Sequence, residues 1–292
     1  SHPAGIPVTN GSVNLAHGPQ TTRFVAIPPY AGSPSPTRAR PPLHQLKEML
    51  TYPRRSNSPG ELAFIARFLD PVPGMCQDGY GNRYLQIGDQ PRTLFSAHTD
   101  TVHQRDDRQQ VLDNPKTRRF YKRDGQPLGA DNATGCWILL RLIAHRVPGL
   151  YIFHREEEEY GMGSFWIADT CPERLVGLAR AVAFDRGGTR DVITHQSGDR
   201  CCSDTFAKAL AKQIGLGFRP CARGVFTDTA NYTSRIPECT NLSIGCGRCH
   251  TPREYQDYGF LAKLLPALLA VNWEALPVAR VCVPLAWEVA GQ

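Results

Sequence analysis

No stretch of this chain is apolar over the roughly 20 positions that a membrane-spanning helix needs. The two best candidates are interrupted, 137–144 by Arg141 and 260–271 by Lys263 and Pro266. An apolar leader segment is missing as well, so a cytoplasmic protein is expected, with a secreted form left open because the first residue is Ser1 rather than Met. There is no internal repeat, which sets aside solenoid architectures. No nucleic-acid-binding motif occurs, and the formal charge of +6 is dispersed except between Arg105 and Arg123. That charge reads as solubility or a weak preference for acidic partners. Neither a membrane nor a nucleic acid is therefore an expected partner. The ten cysteines lack the spacing of a zinc ribbon, and the chain is too long for a small disulfide scaffold. Reduced, buried thiols, or at most one disulfide, are expected.

What is present is enough apolar material for a sizeable core. The 292 residues are 41% hydrophobic and 21% charged, which excludes global disorder. Residues 1–42 are rich in Pro, Gly, Ser and Thr and read as an extended arm. The remainder, 43–292, reads as one domain. Helices are expected over 43–52 and from Ser58-Pro59-Gly60-Glu61 to about 69, the latter opened by a capping box with Pro at its first position. Strands are expected over 82–87, 93–97, 150–153, 181–184, 191–195 and 241–245, and further helices over 136–144, 203–214 and 253–271. Residues 104–127 are polar and suit a loop or hairpin. The tail beyond 272 has no clear assignment. Strands separated by helices imply an α/β fold around a largely parallel sheet, which gathers its ligands at one edge.

Four of these strands end in groups that can hold a cation: His98, the run Glu156-Glu157-Glu158-Glu159, Asp185 and His250. Adjacent carboxylates usually form a solvated charge run. Here the run follows the buried strand Leu150-Tyr151-Ile152-Phe153 and precedes Gly161-Met162-Gly163-Ser164, which lets the backbone turn tightly against a ligand. His98 and Asp100 share one side of an extended chain, so Asp100 can fix the tautomer of His98. Asp131 opens the helix before Cys136 and is either an N-cap or a carboxylate shared by two metals. Two histidines and three carboxylates suit two divalent ions, zinc by donor type, with manganese or cobalt also compatible. A further carboxylate would act as general base.

These motifs, taken in order, resemble the co-catalytic dizinc exopeptidases, a superfamily that includes bacterial leucyl aminopeptidases, peptidase T and acylase/carboxypeptidase relatives. His98-Thr99-Asp100, Gly129-Ala130-Asp131-Asn132, Glu158-Glu159-Tyr160-Gly161-Met162-Gly163, Asp185 and His250-Thr251 carry the resemblance, which covers about 43–271. It implies a three-layer α-β-α fold with a mixed, mainly parallel twisted sheet, of the phosphorylase/hydrolase-like zinc exopeptidase type. It implies that His98 and Asp185 bind one zinc, that Glu159 and His250 bind the other, and that Asp131 bridges them. Asp100 would orient His98 and Glu158 would be the general base. The glutamate register is taken from Gly161, and Glu156 and Glu157 are extra, so a slip of one residue stays open. Asp228 and Tyr232 would line the substrate pocket.

The stretch between Asp185 and His250 is too short for the dimerisation domain that many relatives insert there, which implies the compact branch and a monomer. The expected activity is hydrolysis of a terminal amide bond in a short peptide, by an aminopeptidase. The alternative is a carboxypeptidase or N-acyl-amino-acid amidohydrolase, because Arg186 and Arg248 could pair with a substrate carboxylate. A different class, haem-based electron transfer, is suggested only by Cys246-Gly247-Arg248-Cys249-His250, which matches the C-x-x-C-H attachment pattern.

Overall fold

Runs such as Thr93–His98 and Gly149–His154 are buried at every position. A strand can be so only when helices cover both faces of its sheet. The computed structural model describes residues 43–282. The arm expected over 1–42 and the end of the tail, 283–292, lie outside the described residues. Eight strands form a mixed sheet: β1 (Cys76–Gln77), β2 (Arg83–Ile87), β3 (Thr93–His98), β4 (Gly149–His154), β5 (Arg180–Arg186), β6 (Asp191–Ile193), β7 (Arg219–Cys221) and β8 (Glu238–Ser243). Their spatial order is β1-β2-β4-β3-β5-β8-β6-β7. The central strands β4, β3, β5 and β8 are parallel, and β2 joins β4 antiparallel.

Alternation along each strand divides the core in two. Phe95, Tyr151, Phe153, Val182 and Phe184 face a cluster built with Trp137 and Leu139 of α3 (Ala130–Ala144). Phe206 and Leu210 of α5 (Asp204–Ile214) and Leu261 and Leu264 of α6 (Tyr258–Ala270) belong to the same cluster. Leu94, Leu150, Ile152 and Ala181 face the other way, toward Ile167 of α4 (Met162–Thr170) and Tyr232. The result is the expected three-layer α/β arrangement.

Helices α1 (Leu43–Met49) and α2 (Pro59–Phe68) fall where the sequence places them. Half of the expected capping box is formed: Ser58 Oγ accepts from the Glu61 amide, 3.2 Å away, while the Glu61 carboxylate accepts the Asn57 amide rather than that of Ser58. The helix expected from 253 instead begins at Tyr258, capped by Asp257. Residues Tyr255–Asp257 are drawn into a second, four-stranded antiparallel sheet. Its other strands are the hairpin Leu112–Asn114 and Arg119–Tyr121, within the polar stretch 104–127, and Cys246–Gly247. Trp273, in the unassigned tail, sets its ring edge-on to Phe95 with centroids 4.9 Å apart.

One buried ion pair ties this frame to the glutamate run. Arg155 donates from Nε to Glu61 Oε1 at 2.7 Å and from a terminal nitrogen to Oε2 at 3.1 Å. Glu61 is fully buried. Glu61→Ala would strand the Arg155 guanidinium in the interior, and a loss of about 3–5 kcal/mol is expected in urea unfolding. The exposed pair Arg67–Glu48 is the control. Glu48→Ala should change stability by no more than about 1 kcal/mol. Equal effects from the two variants would show that the Glu61 pair does not brace the site.

Candidate metal centre

Parallel strands bring their C-terminal ends to one edge, and β3, β4 and β5 end side by side. His98 pairs in register with His154, and Ser96 with Ala183, which carries His98 opposite Asp185. His98 Nε2 lies 3.1 Å from Asp131 Oδ1, 3.2 Å from Asp185 Oδ1 and 3.7 Å from Glu157 Oε2. His250 Nε2 lies 2.9 Å from Asp131 Oδ2 and 2.8 Å from Glu158 Oε1. Asp131 therefore stands between the two imidazoles, one oxygen toward each. The N-cap alternative does not hold: Asp131 sits at a kink with non-helical dihedrals, and its carboxylate faces the two imidazoles rather than a backbone amide of the helix.

Each ligand candidate is held from behind. His98 Nδ1 is 3.0 Å from the Asp100 carbonyl oxygen and 3.3 Å from Asp100 Oδ1. With its proton there, the Nε2 lone pair faces the carboxylates. Asp185 accepts from Asn132 Nδ2 at 2.9 Å and from Thr227 Oγ1 at 2.7 Å. Asn132 Oδ1 also accepts the His98 amide, so one side chain spans both strands. Glu254 accepts the amides of Gly129 and Asp131 at 3.2 and 3.1 Å and fixes the turn that presents Asp131.

The glutamate run departs from the expected register. Asp100 Oδ1 accepts the Glu157 amide and Oδ2 accepts the Glu158 amide, both at 3.1 Å. Those bonds, with left-handed backbone at Glu156 and Tyr160 on either side, turn Glu157 and Glu158 inward. Glu159 is exposed and belongs to none of the metal-sized groups among the described residues. Glu156 is taken up by Asn57 and Tyr80. Gly161 terminates the run at φ +65°, and the Phe226 ring fills the space that a Cβ would need, so only glycine fits.

These groups are poorly satisfied by one another. Asp131 Oδ1 and Glu158 Oε1 are buried and lack an aligned hydrogen bond despite their imidazole neighbours. One N–H on His98 cannot serve three carboxylates, whereas a divalent cation can. The proton affinities carry the same crowding. Burial, then the Asp131 charge, pushes Asp185 up to about 7. Burial raises Glu157 well above the ordinary range, with Asp185, Asp228 and Glu158 adding to it against His98. His250 is pushed up to about 11 by its bonds to Asp131 and Glu158. Asp131 is lowered, because the two histidines outweigh its burial. Around His98 the described residues group into His98–Glu157–Asp185 and His98–Asp131–Glu158 as sets small enough to share an ion, and the donor set fits metal binding; Cys246, Cys249 and Glu254 form a third such set.

Asp228 and Tyr232, expected to line the pocket, are both buried. They meet at His154, which sequence reasoning had passed over: its Nδ1 lies 3.4 Å from Asp228 Oδ2 and its Nε2 2.6 Å from the Tyr232 hydroxyl. The available signal was its position at the end of a buried strand. Neither oxygen of Asp228 has a hydrogen-bond partner, and burial pushes its pKa up to about 8. Arg186 pairs with Asp191 at 3.1 Å, and Arg248 is exposed. Cys246 and Cys249 are joined to each other, so neither thiol is available for a thioether to haem. Cys201, Cys202, Cys221 and Cys239 are buried free thiols and enter no metal-sized group among the described residues.

No protein-family model matches the sequence, and no curated protein matches it significantly. Solved structures do match. The aminopeptidase PepT from Bacillus cereus superposes with a TM-score of 0.63 at 14% identity, over 80% of this chain and 97% of that one. A tripeptidase from Staphylococcus aureus gives 0.63 at 13%, over 80% and 97%. The TET1 peptidase of Pyrococcus horikoshii gives 0.59 at 16%, over 79% and 99%. The chain has the fold of these peptidases. Among the described residues no helix is long and apolar enough to cross a membrane.

Proposed function

We propose that this chain is a metal-dependent aminopeptidase that releases the N-terminal residue of short peptides. The observation that carries the reading is the placement of Asp131 between His98 and His250, with Glu157, Glu158 and Asp185 closing the group. His98 and Asp185 would hold one divalent ion, Glu158 and His250 a second, and Asp131 both. Zinc suits the nitrogen and oxygen donors, with manganese or cobalt as alternatives. Two such ions, when bound, acidify a water and polarise the scissile carbonyl. Glu157 then takes the role first given to Glu158, and Glu158 that given to Glu159. The buried, proton-attracting carboxylate of Glu157 accepts the water proton and passes it to the leaving amine. Asp100 would orient His98, and its carboxylate accepts the amides of both glutamates.

The end of the substrate that is read follows from the charges that remain. Asp228 is a buried carboxylate whose neighbour is the His154 imidazole and whose oxygens lack an aligned hydrogen bond, which leaves it to a free α-ammonium, whereas Arg186 is already engaged by Asp191. This favours an aminopeptidase over a carboxypeptidase or acyl-amino-acid hydrolase. A cytoplasmic monomer belongs to the same proposal, although the Pyrococcus relative assembles into a tetrahedron or an octahedral shell. The test uses two dipeptides of one sequence. The C-amidated peptide should be cleaved and the N-acetylated one spared. The opposite pattern, abolished by Arg248→Ala, would establish the carboxylate-reading alternative.

A further inference from the structure

The C-x-x-C that precedes His250 is not used by the chemistry above, yet it lies against the segment that follows Asp185 and against the carboxylate that holds the Asp131 amide. Cys246 and Cys249 are disulfide-bonded across two intervening residues, and His250 follows directly. Cys246 Sγ lies 3.5 Å from Oε1 of Glu254, the carboxylate that accepts the Asp131 amide. The Cys246 carbonyl accepts the Gly188 amide at 2.8 Å, and Cys249 Sγ packs against Gly187, two residues beyond Asp185. Arg248 and His250 both adopt left-handed backbone, at φ +55° and +63°, which L side chains rarely do without support. The bond thus closes a short ring over the backbone that aims His250.

We propose that Cys246–Cys249 is a thiol–disulfide exchange site for small dithiols, and that opening it releases the His250 loop. The link to metal binding rests on the function proposed above. Cys249 is half-buried whereas Cys246 is fully buried, so the incoming sulfur reaches Cys249. A thiolate of the dithiol attacks Cys249 Sγ, the protein S–S bond breaks, and Cys246 leaves as thiolate and takes a proton. The second thiol of the reagent then attacks the mixed disulfide at the reagent's own sulfur. Cys249 is released and protonated, and the reagent ends as a cyclic disulfide. Two electrons and two protons pass from the dithiol to the protein. Reduced Cys246 keeps Glu254 as an acceptor, while the chain from 247 to 250 loses its closure.

The experiment places the whole protein, metal-free and under native conditions, in reduced or oxidised dithiothreitol, followed by alkylation and peptide mass mapping. In the reduced buffer Cys246 and Cys249 should each gain a label, and amides 247–251 should exchange hydrogen faster. Cobalt titration should show the affinity for one ion lowered about 10–100-fold, the range for loss of a supporting contact. Cys249→Ser should reproduce the reduced state, and the wild-type comparison decides the matter if that variant fails to fold. Absence of labelling short of unfolding, or labelling with unchanged amide exchange, would overturn the proposal. So would protection of the reduced pair by added zinc, which would make it a thiolate metal site. A chain that binds no cobalt in either state would refute the metal centre and leave labelling and exchange to decide this inference.

Discussion

Replacing Glu157 by Gln should lower kcat by roughly 10²–10⁴, the usual worth of a general base, while leaving bound metal unchanged. The amide keeps the shape of the side chain and cannot take a proton from water. Glu158→Gln should behave differently, because Glu158 faces His250 and Asp131 and would be lost as a ligand. Metal content should fall along with activity. Glu159→Gln should resemble the unmodified protein, since Glu159 is exposed. Elemental analysis and steady-state kinetics on the three variants distinguish the registers. An inactive, fully metallated Glu158→Gln beside an active Glu157→Gln would restore the register expected from Gly161.

Metal removal should make stability strongly dependent on pH. Asp185, Asp228 and Glu254 are raised to about 7, 8 and 7, chiefly by burial. An unfolded chain releases those protons near pH 4. The stability they contribute is therefore complete below pH 4 and is lost as pH climbs through 7 and 8. His250, raised to about 11, acts with the same sign above its ordinary value. His103 and His154, each lowered to about 3 by burial, act oppositely, but only below about 6.5, where an unfolded histidine gains its proton. Between pH 6.5 and 8 the raised groups act alone. Chelated protein should lose about 1.4 kcal/mol per pH unit for each proton the folded state holds in excess. Restoring the ions should remove the share of the slope that comes from Asp185, because a cation replaces the proton of a ligand carboxylate, while Asp228 and Glu254 keep theirs. Denaturant unfolding across that range, with and without chelator, measures both slopes. Metal-free stability that is flat or rising from 6.5 to 8 would mean that burial does not keep these carboxyls protonated.

Much of the framework was legible because it depends on local periodicity. Buried six-residue runs announce strands covered on both sides, and helices between them make neighbouring strands parallel. Once β3, β4 and β5 run the same way, His98, the glutamates and Asp185 must meet at one edge. The order of the motifs was therefore enough to bring these groups to one edge, and Ser58 followed by Pro59 was enough to start α2. The end of the chain was less legible. Tyr255–Asp257 carries no local mark that separates a strand from the first turn of a helix, and its pairing with Arg119–Tyr121 depends on a hairpin distant in sequence.

The sequence by itself determined which residue types meet and at which edge of which kind of sheet, since strand direction and side-chain alternation are properties of short segments. Tertiary structure alone decided which of four identical carboxylates turn toward the two histidines. Nothing local distinguishes Glu157 from Glu159; the distinction comes from Asp100, more than fifty residues earlier, whose two oxygens take the amides of Glu157 and Glu158. The same holds for Asp131, where Glu254 and two imidazoles set aside the N-cap, and for His154, whose partners Asp228 and Tyr232 arrive from another part of the chain. Hydrogen bonds between segments far apart in sequence choose among chemically equal side chains, and only folding brings those segments together.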